Sequence, residues 1–134
     1  MTLSQRTLSE ANKSLYNSEW KAATVLAGSI VEALLLWALQ NKKTEAELIT
    51  IAAQVGRKID LKSKPLERWD LHDLIGFAHE SRLISDSTKM AADQGKNFRN
   101  LIHPGRAMRL AMKCNRATAL LGIGAAEAVI ADFS

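Results

Sequence analysis

Apolar residues recur at three- and four-residue intervals along most of the chain, and no stretch alternates with the period of two that a half-buried strand requires. β-Branched residues do not cluster, and neither Asn-Gly nor Asp-Gly occurs to close a hairpin. The pattern predicts a first helix over Leu3–Tyr16 with Leu8, Ala11 and Leu15 on one face. Asn17-Ser18 interrupts it, and Ser18 is placed to cap a long second helix from Glu19 to Gln40. After Asn41-Lys42-Lys43, Thr44 and Glu47 have the spacing of a capping box, opening a third helix to about Val55. Gly56 to Pro65 is the most polar stretch and reads as a mobile loop. Asp70 can cap a short helix carrying Leu71, Leu74, Ile75 and Ala78 and ending near Arg82. Ser85-Asp86-Ser87 begins another, which runs to His103 and is stopped by Pro104-Gly105. The last helix is expected over Ala107–Phe133. Without an internal repeat or linker, residues 1–134 read as a single all-α domain, an antiparallel bundle of four to six helices.

Small residues are concentrated on two of these helices. Ala22, Ala23, Ala27, Gly28 and Ala33 lie on the second, and Ala117, Ala119, Gly122, Gly124, Ala125 and Ala128 on the last. They allow helix axes to approach closely, in a chain where aromatic residues make up only 5%. Val25–Leu39 is apolar around its whole circumference, more than a small monomer covers, which predicts a homodimer. Ala22–Leu39 approaches the length of a membrane span, but Glu32 lies inside it and no second such segment follows. A buried core helix is therefore expected, and no membrane partner.

Composition narrows the classes further. With 134 residues, 47% of them apolar and 24% charged, the chain is one globular domain rather than a disordered polyelectrolyte. A lone cysteine, Cys114, supports neither a disulfide framework nor a cysteine-based zinc site, which places the chain in the cytoplasm. The N-terminus lacks signal-peptide architecture. A net charge of +4 permits phosphate-bearing partners without requiring them.

Phosphate loops, nucleophile elbows and HExxH are absent, and His72, His79 and His103 are too scattered for a metal-ligand pattern, so neither cofactor nor metal is expected. At best His72 with Glu80, or His79 with Asp73, would meet on the short fourth helix. The segment from Lys96 to Arg106 carries more chemistry. Lys96, Arg99, Asn100 and His103 fall within roughly 100° of one another on a helical wheel, with Phe98 and Ile102 directed elsewhere. Pro104 leaves His103 at the helix C-terminus, where the macrodipole favours its protonated form while Arg99 opposes it. An imidazole beside a guanidinium suits proton transfer next to a phosphate. Further on, Arg106, Arg109, Lys113 and Arg116 lie within about 80° and form a basic stripe, either a phosphate-contacting face or a solvated one. Glu32, an acid in an apolar run, calls for a structural partner, with Arg99 the first candidate and His103 the second. A Glu that reaches solvent or caps a neighbouring helix is the other reading.

The AGSIVEALLLWAL helix, the all-helical order and above all Arg99-Asn100-Leu101-Ile102-His103-Pro104-Gly105 resemble the HEPN superfamily, the higher eukaryote and prokaryote nucleotide-binding domains. The resemblance spans Trp20 to the C-terminus in element order, and its specific part is the short Arg-Asn-to-His-Pro segment. It implies a four- or five-helix bundle, usually a dimer, and in many members a metal-independent endoribonuclease of toxin–antitoxin, phage-defence or RNA-decay systems. Carried over by position, Arg99 steadies charge on the scissile phosphate, Asn100 orients substrate or imidazole, and His103 acts as acid and base. RNA or nucleotide, and an antitoxin or other protein, are the partners this implies.

The spacing departs from the active pattern. Three residues separate Arg99 from His103, one fewer than the family's minimum. Counting from Lys96 gives six, but a lysine lacks the bidentate fork. Members with altered motifs are often non-catalytic modules that bind RNA, nucleotides or proteins, so both a ribonuclease and a binding module stay open. A small helical transcription regulator is the weaker third class, since no helix–turn–helix segment stands out.

Overall fold

The computed structural model describes residues 3–99 and 115–134, with the backbone alone for 96–99. Six α-helices and no strand occur among them: α1 (Leu3–Tyr16), α2 (Trp20–Lys42), α3 (Glu45–Gln54), α4 (Leu71–Glu80), α5 (Asp86–Arg99) and α6 (Arg116–Asp132). A short 3-10 turn, Leu66–Arg68, precedes α4. The all-α expectation holds, and the bundle is organised around α2.

Helix α2 buries Ala23, Thr24, Ala27, Ile30, Val31, Leu35, Ala38 and Leu39, and it contacts α1, α4, α5 and α6. By length and composition it is apolar enough to cross a membrane, but these residues form the centre of the bundle. Its start differs from expectation. Ser18 adopts a left-handed backbone (φ 63°), and Glu19 occupies the cap position without a side-chain capping bond. Lys42, at the far end, lies over both the Trp37 ring (5.6 Å) and the Phe133 ring (5.2 Å). This contact brings the C-terminal ends of α2 and α6 together.

The capping box of α3 forms as its sequence indicates, with Thr44 Oγ1 accepting from Glu47 N–H (3.1 Å) and Glu47 Oε1 accepting from Thr44 N–H (3.2 Å). The Thr44 backbone N–H, then its side chain and Lys43, hold the Glu47 carboxyl below its ordinary value of 4.5. A lowered carboxylate contributes stability above its unfolded value and loses it as pH falls through the folded one. Glu47→Gln is therefore expected to unfold at lower denaturant than wild type at neutral pH. The gap should begin to narrow as pH drops below 4.5 and close only once pH has passed below the lowered folded value, as read by urea titrations across pH.

Asp70 caps α4 by accepting from Asp73 N–H (2.8 Å), and the helix buries Leu74, Ile75, Phe77 and Ala78. Ser85 caps α5, its hydroxyl accepting from Thr88 N–H (3.2 Å), while Ser85 N–H bonds Asp132 Oδ2 (2.9 Å) and ties the start of α5 to the end of α6.

The expectation of one helix over Ala107–Phe133 is corrected at Asn115. Its backbone is extended (φ −139°, ψ −177°), and α6 begins at Arg116. Asn115 Oδ1 accepts from Thr118 N–H (3.0 Å) and Thr118 Oγ1 accepts from Asn115 N–H (3.0 Å), a reciprocal cap that starts a new helix. Two glycines inside helices have open surroundings: a Cβ on Gly76 or Gly124 meets nothing within 4 Å. Gly76→Ala and Gly124→Ala are each expected to raise unfolding stability by about 0.5–1 kcal/mol, measured by denaturant titration.

Candidate functional site

Helix α5 leads to the Arg-Asn-to-His-Pro motif, and small residues set its position. A Cβ on Gly95 would stand 3.6 Å from Ala125 Cβ and 3.7 Å from Gly122 Cα; one on Gly122 would stand 3.4 Å from Ala27 Cβ. Helices α2, α5 and α6 thus meet where Ala27, Gly95, Gly122 and Ala125 let their backbones close in. The void left beside Gly28 and Gly95 is about 10 Å³, at or below the space one water needs. This junction is packing, with no room for a ligand. The small-residue excess divides accordingly: Ala23, Ala27, Ala119, Gly122 and Ala125 are buried, whereas Ala22, Ala33, Ala117 and Gly124 are exposed.

Helix directions follow from the same contacts. Gly95 lies level with Gly122 while Ser85 bonds Asp132, so α5 runs antiparallel to α6. Gly122 meets Ala27 while Lys42 meets Phe133, so α6 runs parallel to α2. Helix α5 is therefore antiparallel to α2. From the level shared by Gly28 and Gly95, Arg99 continues toward the N-terminal turns of α2, and Glu32 lies one turn the other way. Their backbones are about 12 Å apart along the helix axes. Glu32 itself is half-buried and does have an interaction partner, as an acid in an apolar run requires.

Of the residues expected to carry the chemistry, Lys96 and Arg99 lie in the last turns of α5, of which the backbone is described. Asn100, His103, Arg106, Arg109 and Lys113 lie outside the described residues, as do Pro104-Gly105 and Cys114. Arg116 is exposed in the first turn of α6. The extended Asn115 separates it from Lys113, so a single helical wheel does not relate it to the preceding three cations. His79 does not meet Asp73: its Nε2 stands 2.6 Å from Asp86 Oδ1, and Asp73 Oδ1 accepts from Arg57 Nη2 (2.9 Å). Among the described residues no three His, Cys, Asp or Glu side chains converge where a metal ion could sit.

A further basic feature lies outside these motifs. The segment Gly56–Arg68 holds five cations (Arg57, Lys58, Lys62, Lys64, Arg68) against two acids (Asp60, Glu67), and it is anchored rather than a free loop. Gly56 (φ 71°) ends α3 in a Schellman turn, with Arg57 N–H bonded to Ala52 O (2.7 Å). Asp60 Oδ1 accepts from Lys62 N–H (3.0 Å), and Trp69 Nε1–H donates to Lys64 O (3.2 Å). Trp69 is itself fixed edge-on against Phe77, ring centroids 4.7 Å apart. The signal in the sequence was the charge imbalance of GRKIDLKSKP, masked by its loop-like composition.

No protein-family model matches the chain, and neither a curated protein nor a solved structure matches it.

Proposed function

We propose that this chain is a HEPN-type domain that acts on RNA as a metal-independent endoribonuclease, with Arg99, Asn100 and His103 as its reacting groups. What supports the reading is the RNLIHPG segment following directly on α5, whose register in an all-helical bundle is fixed by the Gly95–Gly122 approach. In this reading a ribose 2′-oxygen attacks the adjacent phosphorus and the bond to the 5′-oxygen breaks. The products are a 2′,3′-cyclic phosphate and a 5′-hydroxyl, with His103 moving the protons and Arg99 holding the non-bridging oxygens. Lys96, Arg106, Arg109, Lys113 and Arg116 supply phosphate contacts.

A second copy of the chain is the proposed partner. Trp37, 49% exposed, lies one turn beyond the exposed Ala33 on the outer face of α2, and this face is the proposed dimer contact. An antitoxin-like protein is the other partner the reading admits, and the cytoplasm its setting.

The experiment is incubation of single-stranded RNA with the protein in excess chelator, followed by analysis of the product ends. Cyclic phosphate termini are the expected result, and cleavage that needs added metal counts against the reading. The short Arg99-to-His103 interval favours a second reading, a non-catalytic module that binds RNA, nucleotide or protein through the same surface. It predicts binding with no turnover.

A further inference from the structure

We infer that the anchored segment Arg57–Lys64 forms a second interaction surface, separate from the α5 motif, that binds the phosphate backbone of a single-stranded polynucleotide. Every acid around it is used internally. Asp60 takes the Lys62 amide, Asp73 takes the Arg57 guanidinium, and Glu67 Oε1 accepts from Gln40 Nε2 (2.6 Å). Lys58, Lys62 and Lys64 are exposed, and none has a carboxylate within 4 Å among the described residues. Arg57 is fixed on two sides, by Asp73 and by the Phe77 ring 5.4 Å away, yet is still half-exposed.

The segment also has a sidedness. Ile59, Leu61 and Leu66 turn against the core, so cations occupy the outer side without an exposed apolar side chain among them. A protein interface puts apolar and aromatic groups at its centre and excludes lysine, and a membrane-surface segment needs apolar groups to insert. Point charges alone on a fixed frame match a polyphosphate strand, whose affinity comes from released counterions. Arg57, Lys58, Ser63 and Lys64 line a concavity of about 330 Å³ together with Ile59, Trp69 and the two carboxylates Asp60 and Asp73. The Lys62 amide and the Arg57 guanidinium already engage those carboxylates, and a charged groove of this kind suits a flexible single strand.

The surface is independent of whether Arg99 and His103 cleave, and the test keeps the two apart. Binding of a labelled 2′-O-methyl oligouridylate, which cannot be cut, is measured by anisotropy across salt concentrations. The comparison is between the full chain and its Lys58→Ala, Lys62→Ala, Lys64→Ala triple variant. An affinity loss of about tenfold or more is expected, with the slope of log K against log salt reduced by about 2, near 0.7 for each lost contact. Restoring the three positions as arginine should recover both. Unchanged affinity and slope overturn the proposal. So does a triple variant that binds RNA normally but loses poly-glutamate or phosphatidylserine vesicles, outcomes that would assign the surface to an acidic protein or a lipid. Should the triple variant lose its thermal transition, the three single variants carry the same slope measurement, each expected to lower it by about 0.7.

Discussion

Gly122→Leu is expected to cost about 3 kcal/mol of folding stability, near the top of the range for overpacking, and to lower the thermal midpoint by roughly 10 °C. The reason lies in how three helices share one point. On one side of Gly122 a Cβ would already be 3.4 Å from Ala27 Cβ and 3.9 Å from the Thr24 backbone; on the other lies Gly95, whose own Cβ would meet Gly122 Cα at 3.7 Å. The leucine isobutyl group has only a void of about 10 Å³ beside it, so α6 must move off α2, α5, or both. A domain with roughly 5–15 kcal/mol in total has little margin for that displacement. Gly122→Ala is the control: its methyl enters ordinary contact, and the gain in helix propensity offsets the crowding, leaving stability close to wild type. Gly95→Ala, with its nearest neighbour at 3.6 Å, is expected to be neutral or slightly stabilising. Chemical denaturation of the three variants separates close packing from glycine flexibility. If leucine at 122 leaves the midpoint unchanged, the close helix approach is not what holds the bundle.

Much of this arrangement could be read from residue pattern because its signals are local. Thr44 and Glu47 announce α3, Asp70 announces α4, and α1 ends at Tyr16 as periodicity places it. Three features were not legible, each for a different physical reason. Asn115 breaks what reads as a continuous Ala-rich helix, because an Asn-x-x-Thr cap resembles an ordinary polar turn of helix until its backbone is seen extended. The α3–α4 segment looked mobile because its composition is that of a loop. Its order comes from side-chain anchors, the Trp69 indole on Lys64 O and Arg57 on Asp73 on the following helix, which composition does not reveal. The antiparallel course of α5 along α2 is a matter of topology rather than of spacing. The motif itself was legible only as a resemblance. Its Arg, Asn and His share a face on a helical wheel, but a wheel says nothing of which second surface completes a cleft.

His103→Ala is expected to lower the rate of metal-free RNA cleavage by about 10²–10⁴-fold, the usual cost of removing a positioned proton-transfer group. On the proposed reading the loss should fall on turnover, because the variant leaves every neighbouring cation in the sequence, and binding of 2′-O-methyl RNA should change little. A pH profile adds a readout that a purely structural histidine would not give. The wild-type rate should show a limb near the histidine range, and that limb should vanish in the alanine variant. Arg99→Lys makes the complementary test. It retains the charge but loses the planar two-pronged contact with the phosphate, so it should weaken cleavage while leaving the pH limb where it was. The three-residue interval between Arg99 and His103 gives these variants their discriminating force. If that interval still brings guanidinium and imidazole to one phosphate, both substitutions reduce turnover at unchanged fold, judged by far-UV circular dichroism and thermal midpoint. If it does not, wild type and His103→Ala are equally inert toward RNA in chelator. The histidine then shows itself only as lost stability or lost partner binding, which selects the non-catalytic module.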